Sequence, residues 1–213
     1  MMLEAKNLKY TYKGSQNIDF PDVELKQGES LLILGKSGSG KTTLLNMLSG
    51  LLKPESGTIS IDGKDIIAFS QKEMDQFRGK NIGLIFQKPH LLGPLSVKEN
   101  LQVAPFFAKV QGESPTGILK ELDIEDKANS KVRTLSEGEA QRVSISRALM
   151  NKPKLILADE PTSSLDDENA ERVINLLKDQ AKRIGAGLII VTHDQRIKNQ
   201  VSKFIEVKKN ESV

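Results

Sequence analysis

Four short apolar runs recur along the chain, at residues 31–34, 82–86, 155–158 and 188–191. They are rich in Ile, Leu and Val and lack polar alternation, which is typical of strands buried on both faces of a parallel sheet. Segments with helical spacing of apolar residues separate them. Strands that alternate with helices in this way predict an α/β fold.

Two of the intervening segments, residues 41–52 and 167–184, are predicted to be helices from their apolar periodicity. Residues 58–62 instead alternate polar and apolar positions, and the Asp62-Gly63 pair that follows suits a hairpin turn. Together with the first thirty residues, this hairpin predicts a small antiparallel sheet. Residues 88–134 contain amphipathic pieces without a buried strand, and we interpret them as helical.

Composition adds several exclusions. The chain has no cysteine, which excludes disulfides and thiolate metal sites. Its apolar runs are too short to span a bilayer, and the first ten residues lack the apolar core of a signal peptide, so a cytoplasmic location is expected. The formal charge is only +3, and two Tyr and no Trp provide few stacking surfaces. No nucleic-acid partner is therefore expected.

Residues 35–42 carry the most informative motif, Gly-Lys-Ser-Gly-Ser-Gly-Lys-Thr, which matches the phosphate-loop pattern G-x-x-x-x-G-K-[ST]. Its glycines let successive backbone N–H groups face one centre, where they bind phosphate oxygens. Lys41 supplies charge to the β and γ phosphates, and the Thr42 hydroxyl can ligate Mg²⁺. A chance glycine-rich turn is disfavoured because the loop joins a strand to a helix. The nucleotide-binding residues predicted here are Gly35, Ser37, Gly38, Ser39, Gly40, Lys41, Thr42 and Thr43.

Residues 155–160, LILADE, form an apolar strand that ends in two carboxylates. Asp159 is placed to hold Mg²⁺, and Glu160, on the other side of the chain, can polarise an attacking water. A pair of exposed acids at a strand end is the alternative interpretation. Alone the pair is a weak signal, but beside a phosphate loop it becomes a strong one for a site that hydrolyses a nucleotide.

These motifs resemble those of the ABC ATPases across nearly the whole chain. Residues 135–149, LSEGEAQRVSISRAL, are similar to the family signature LSGGQ and the helix that follows it. Four further elements stand in the family's order: Tyr12, Gln87, Ser164-Leu165-Asp166 and His193. Taken singly, Tyr12 could be an ordinary strand tyrosine, Gln87 a solvated loop residue and His193 a strand-end histidine.

The resemblance implies a role for each residue. Tyr12 would stack on adenine, and it is favoured over its rival Tyr10 because Gly14 follows at the family spacing. Gln87 would be a further metal ligand, like Thr42 and Asp159. The catalytic residues implied are Glu160, His193 and Lys41, where His193 would contact the γ-phosphate and orient Glu160.

The resemblance also implies an assembly. Two copies would form a homodimer in which each ATP lies between the phosphate loop of one copy and the signature of the other, with Ser136 and Gly138 as the signature contacts. Ser136 and the following helix N-terminus can bind the γ-phosphate, and Gly138 permits close backbone approach.

The fold implied is a P-loop NTPase (RecA-like) core with a mostly parallel sheet, a small antiparallel β subdomain and a helical signature subdomain. We expect a single domain spanning 1–213, in which 1–87 and 148–213 form the catalytic core with the antiparallel part and 88–147 form the helical subdomain. The partner would be an integral membrane permease, which would hold the chain at the inner face of the cell membrane.

Residues 82–101 are similar to the ATPases of lipoprotein release, macrolide and peptide export, and the cell-division ABC complex. A soluble ABC ATPase of DNA repair or translation is the alternative, but those proteins carry a long coiled coil or two cassettes. A nucleotide-binding regulator without turnover is a third possibility, against which Glu160 argues.

The signature departs from the family pattern, because Glu137 replaces a glycine and Glu139 a glutamine. Ser136 and Gly138 are kept. A carboxylate beside a triphosphate is unfavourable unless it points outward or pairs with a base such as Arg142. We therefore expect an intact composite site of reduced strength.

Overall fold

A computed structural model describes residues 1–12, 14, 17–163 and 167–208. Ser164, Leu165 and Asp166, the expected D-loop, lie outside the described residues. The strands are β1 (Leu3–Thr11), β2 (Asn17–Asp19), β3 (Val23–Leu25), β4 (Ser30–Leu34), β5 (Ser56–Ile61), β6 (Lys64–Asp65), β7 (Ile82–Ile85), β8 (Leu155–Asp159), β9 (Gly187–Thr192) and β10 (Phe204–Glu206). The α-helices are α1 (Lys41–Leu48), α2 (Gln71–Asn81), α3 (Val97–Ala108), α4 (Pro115–Glu121), α5 (Glu137–Leu149) and α6 (Asp167–Ile184).

The main sheet is parallel, with the strand order β10-β4-β9-β8-β7. The four apolar runs of the sequence form strands of this sheet, as predicted: β4, β8 and β9 lie inside it, and β7 lies at one edge. Because parallel strands end at the same edge of a sheet, the segments that follow β4, β7, β8 and β9 meet there. Those segments carry the phosphate loop, Gln87, Glu160 and His193.

Each central strand contributes side chains to both faces of this sheet. In β4, Leu31 and Ile33 belong to one hydrophobic cluster, while Leu32 and Leu34 belong to the other. The first cluster includes residues of α1, α2 and the antiparallel sheet, and the second includes residues of α3, α4, α5 and α6. Burial on both faces explains why these strands lack polar alternation.

The antiparallel sheet forms as expected from the amino-terminal segment and the hairpin. β1 pairs with β2, β3 and β5, and β5 pairs with β6. The connection from β5 to β6 is Asp62-Gly63, with φ values of 51° and 72°. Positive φ at both positions is what a type I′ hairpin turn requires.

Helix α1 ends at Leu48, four residues earlier than the periodicity predicts. Gly50 adopts a φ of 66°, and the N–H of Leu51 donates to the carbonyl of Asn46 at 2.9 Å. The Gly50 N–H donates to Met47 at 3.0 Å. These two bonds define a Schellman motif, which a glycine just past a helix end favours. The apolar Leu51 and Leu52 extend the helical pattern in the sequence but not the helix.

Residues 88–134 contain α3 and α4, and two serines cap these helices. Ser96 caps α3 in a capping box with Glu99, and the Ser114 hydroxyl accepts from the N–H of Gly117 at the start of α4. Leu101 and Leu119 bury their side chains in the cluster shared with α5. Across the described residues, no helix is both long enough and apolar enough to cross a membrane.

Candidate active site

The phosphate loop lies between β4 and α1, and three of its glycines are required by geometry. Gly38 and Gly40 adopt φ values of 74° and 100°, where side chains are strained. A Cβ at Gly35 would lie 2.5 Å from Ser39 Oγ and 2.6 Å from the carbonyl oxygen of Val207. The loop can therefore adopt this curvature only with glycine at these positions.

Lys41 begins α1 and is only 6% exposed. Its Nζ donates to the carbonyl oxygens of Gly35 at 2.9 Å and Lys36 at 3.1 Å, and lies 3.6 Å from Glu160 Oε1. The ammonium group is thus held inside the loop by neutral acceptors and one carboxylate. A negatively charged phosphate that entered the loop would be a stronger partner than the carbonyls.

Thr42 and Asp159 form the candidate metal position. The Thr42 hydroxyl donates to Asp159 Oδ2 at 3.0 Å, while Asp159 Oδ1 is buried with no hydrogen-bond partner among the described residues. Burial raises the pKa of the Asp159 carboxyl, and the Thr42 hydrogen bond opposes that rise. A carboxylate that is buried with one free oxygen suits a divalent cation.

Glu160 follows β8 in a strained left-handed conformation, with a φ of 47°. Its Oε1 lies 2.8 Å from His193 Nδ1, and its Oε2 accepts from Thr192 Oγ1 at 3.1 Å and from the His193 N–H at 3.3 Å. Both oxygens are therefore fixed by the end of β9. Thr192 was not predicted as a site residue from the sequence. The sequence feature that points to it is its position next to His193.

An open pocket of about 740 Å³ joins most of the predicted nucleotide residues. Asn17 and Ile18 of β2 also line it and were not predicted, because only the pairing of β2 with β1 brings them there. Gln87, two residues beyond β7, also lines the pocket. The predicted residues that line the pocket are Tyr12, Ser37, Gly38, Ser39, Gly40, Lys41, Thr42, Thr43, Gln87, Glu160 and His193.

The structure distinguishes the two tyrosines. Tyr12 is 46% exposed, lines the pocket and shares a 2.8 Å hydrogen bond between its hydroxyl and Thr43 Oγ1. Tyr10 packs against the hydrophobic cluster that includes α1, α2 and the antiparallel sheet. Its ring lies 4.9 Å from that of Tyr12 in an edge-on arrangement. Of the two tyrosines, Tyr12 is therefore the one that lines the pocket.

Ser136 and Gly138 lie apart from the residues that line this pocket. Ser136 caps α5: its hydroxyl accepts from the Glu139 N–H at 3.3 Å, and its own N–H donates to Glu139 Oε2 at 2.7 Å. This capping box orients the first turn of the helix. Within one copy of the chain, the structure does not bring the signature to the phosphate loop.

The two signature carboxylates differ in their surroundings. Glu139 lies 3.3 Å from Lys127 Nζ, and the hydrogen bond from the Ser136 backbone holds its pKa below the ordinary value. Glu137 is exposed and forms no ion pair within the described part of the chain. Arg142, considered as its partner from the sequence, donates instead to the carbonyl of Asp123 at 3.4 Å.

Comparison with known proteins matches residues 18–163 to the family described as ABC transporter. The chain is 39% identical over 198 residues to the lipoprotein-releasing system ATP-binding protein LolD of Bacteroides thetaiotaomicron, and this alignment covers 91% of each protein. It is 40% identical over 196 residues to the macrolide export ATP-binding/permease protein MacB of Vibrio parahaemolyticus. That second alignment covers 90% of this chain and 30% of MacB.

Solved structures give the same picture of the fold. A dimeric ATP-binding cassette in a post-hydrolysis state, bound to ADP and Pi, is similar with a TM-score of 0.86 and 34% identity over 97% of this chain and 94% of that one. A dimeric bacterial ABC transporter cassette is similar with a TM-score of 0.87 and 35% identity over the same shares.

Proposed function

The chain belongs to the ABC transporter family, and from that premise we propose that it is the ATP-hydrolysing subunit that drives a separate membrane permease. The family match confirms the resemblance seen in the sequence, including the similarity to the ATPases of lipoprotein release and macrolide export. It favours transport over DNA repair or translation. The observation that carries the proposal is the pocket at which Lys41, Glu160 and His193 meet.

Mg²⁺ would be held by Thr42 and Asp159, with Gln87 as a third ligand. The unpartnered Asp159 Oδ1 supports this assignment. Among the described residues, no group of three or more His, Cys, Asp or Glu side chains could hold a metal ion. Mg²⁺ accepts such a sparse protein site because phosphate oxygens and water complete its coordination, and when bound it neutralises phosphate charge.

Different residues of the protein have different roles in the hydrolytic step. Lys41 and the loop amides hold the β and γ phosphates and stabilise the charge that develops on them. Glu160 accepts a proton from the attacking water, whose oxygen bonds to the γ-phosphorus as the bond to the bridging oxygen of ADP breaks. His193 and Thr192 fix the Glu160 carboxylate through three hydrogen-bond contacts.

The second half of the site would come from another copy of the chain. A Cβ at Gly138 would meet nothing within 4 Å, so packing inside one copy does not require glycine there. Glycine in a helix costs about 1 kcal/mol relative to alanine. An unneeded glycine in the first turn of α5 supports close approach by an outside group. We propose that Ser136 and Gly138 contact the ATP bound by a second copy, in a homodimer.

The permease would dock on a groove of about 940 Å³ between α2, β7 and α3. Phe86, Leu92 and Phe107 contribute apolar surface to it, and Phe107 is 76% exposed. A contiguous exposed apolar surface often marks an interaction site. The chain would then be peripheral on the inner face of the cell membrane, with 88–147 as a helical subdomain and 1–87 and 148–213 as the catalytic core.

A Glu160→Gln variant tests the proposal. The purified wild-type chain should hydrolyse ATP, while the variant should bind ATP, lose turnover and accumulate as a dimer in light scattering. Gln keeps the shape of the side chain but cannot accept the proton. Glu125→Gln is the control, because Glu125 is exposed and lies in a turn outside the pocket. Normal hydrolysis by Glu160→Gln would remove Glu160 from its role.

A further inference from the structure

Arg147, near the end of α5, binds the loop that follows β7. Its Nη1 donates to the carbonyl oxygen of His90 at 2.9 Å, and its Nη2 donates to that of Pro89 at 2.9 Å. Burial lowers the pKa of the Arg147 guanidinium. No ion pair within the described residues includes Arg147. Its charge is therefore compensated by these two carbonyls rather than by a carboxylate.

Arg147 binds the first part of this loop, whereas the buried Asn100 binds the backbone N–H and carbonyl of Leu92 farther along it. In the described chain, the backbone of residues 88–91 makes no hydrogen bond to other backbone groups. His90 has a left-handed φ of 44°, and its ring lies edge-on to that of Phe86 at 5.5 Å. Two carbonyls that accept from one planar guanidinium are fixed relative to each other and to α5.

Gln87 lies two residues before Pro89 and lines the nucleotide pocket. We infer that Arg147 is a positioning residue for Gln87: its paired hydrogen bonds to Pro89 and His90 hold the loop that presents Gln87 to the nucleotide. This inference rests on the proposed function, in which Gln87 serves the metal–nucleotide complex.

The same helix carries Ser136 at its other end. Ser136 and Arg147 are eleven residues apart, which is roughly 16 Å along a helix axis. In the proposed homodimer, Ser136 serves the ATP of the partner copy while Arg147 positions Gln87 at the chain's own ATP. Helix α5 would therefore link the two active sites mechanically, and a shift of α5 at one site would move Gln87 at the other.

The test is a double-mutant cycle on Arg147 and Gln87 with the full chain. Steady-state ATPase activity is measured against Mg²⁺ concentration for the wild type, Arg147→Ala, Gln87→Ala and the double variant. We expect Arg147→Ala to raise the Mg²⁺ concentration for half-maximal activity about tenfold, as the loss of charged hydrogen bonds would. In the Gln87→Ala background the same change should have no further effect.

Arg78→Ala is the matched control. The Arg78 guanidinium also donates to two backbone carbonyls, those of Ser49 and Gly50. It holds the end of α1 rather than the Gln87 loop, so its loss should leave the Mg²⁺ dependence unchanged even where it lowers thermal stability.

Arg147→Lys guards against failure of the alanine variant to fold. Lysine keeps the charge but cannot bind both carbonyls in the same fork, so the Mg²⁺ requirement should still rise. Equal effects of Arg147→Ala with and without Gln87 would overturn the inference, as would an unchanged Mg²⁺ dependence in Arg147→Lys. A wild-type chain that hydrolyses no ATP would instead defeat the proposed function, so the two failures are distinct.

Discussion

Gly138→Ala separates the folding of this chain from its assembly. The residue lies in the first turn of α5, and an added Cβ would have no neighbour within 4 Å. Its backbone is helical, so alanine introduces no strain. In a single copy of the chain, the substitution should therefore be harmless or favourable.

The expected gain in stability follows from the entropy of the unfolded chain. A Gly→Ala change at a compatible site contributes about 0.4–1 kcal/mol. For a chain of this size, each kcal/mol raises the melting temperature by about 2–4 °C. The nucleotide-free variant should thus melt roughly 1–4 °C above the wild type.

Assembly should respond in the opposite direction. If Gly138 contacts the ATP held by a second copy, an inserted methyl group overpacks that contact. Overpacking costs about 1–3 kcal/mol, which corresponds to a roughly 5- to 150-fold weaker dimer. Because each proposed active site needs both copies, the ATPase rate at fixed protein concentration should fall as well.

Differential scanning fluorimetry and sedimentation with ATP, in the Glu160→Gln background, measure the two effects. Gly93→Ala is the matched control, because its Cβ also meets nothing within 4 Å and it lies outside the proposed site. A Gly138→Ala chain that dimerises as tightly as the Gly93→Ala chain would refute the composite site. A Gly138→Ala chain that melts at a lower temperature than the wild type would refute the prediction that an alanine side chain fits at this position.

Three other substitutions test individual groups. Lys41→Ala should weaken ATP binding at least about tenfold in calorimetry, because a buried charge-assisted contact is lost; equal affinity would count against the phosphate-loop assignment. Asp159→Asn should abolish Mg²⁺-dependent turnover yet raise the melting temperature of the nucleotide-free chain at neutral pH. Burial raises the pKa of Asp159, so ionisation costs stability as pH rises through that value, and the gain from Asn should vanish in acid. Glu137→Gly should speed ATP hydrolysis and tighten the dimer, and if neither changes, the Glu137 charge has no influence on the site.

The pattern of apolar residues along the chain predicted the strands that are buried on both faces of the sheet. β4, β7, β8 and β9 are apolar along their length because both faces of the sheet are covered. β10 was not predicted, because Phe204–Glu206 is short and Phe204 and Glu206 are exposed. Only its pairing with β4 makes it a strand.

The same division holds in the active site. Lys41, Asp159 and Glu160 could be proposed from the sequence because contiguous motifs carry them. Thr192 and Arg147 were not proposed, because their contacts are with residues 32 and 57 or more positions away in the chain. Motif spacing identifies the groups that act on a ligand. It does not identify the groups that hold them in place.

The alternation of side chains along β4 also determines how the protein should unfold. Leu32 and Leu34 pack in one hydrophobic cluster, and Leu31 and Ile33 pack in the other, so unfolding of β4 would remove side chains from both clusters at once. Helices and antiparallel strands on opposite faces then form one cooperative unit. Heat or denaturant should unfold the chain in a single transition, and a cavity made under α6 should loosen the amides of β1 in hydrogen exchange as much as those of its own layer.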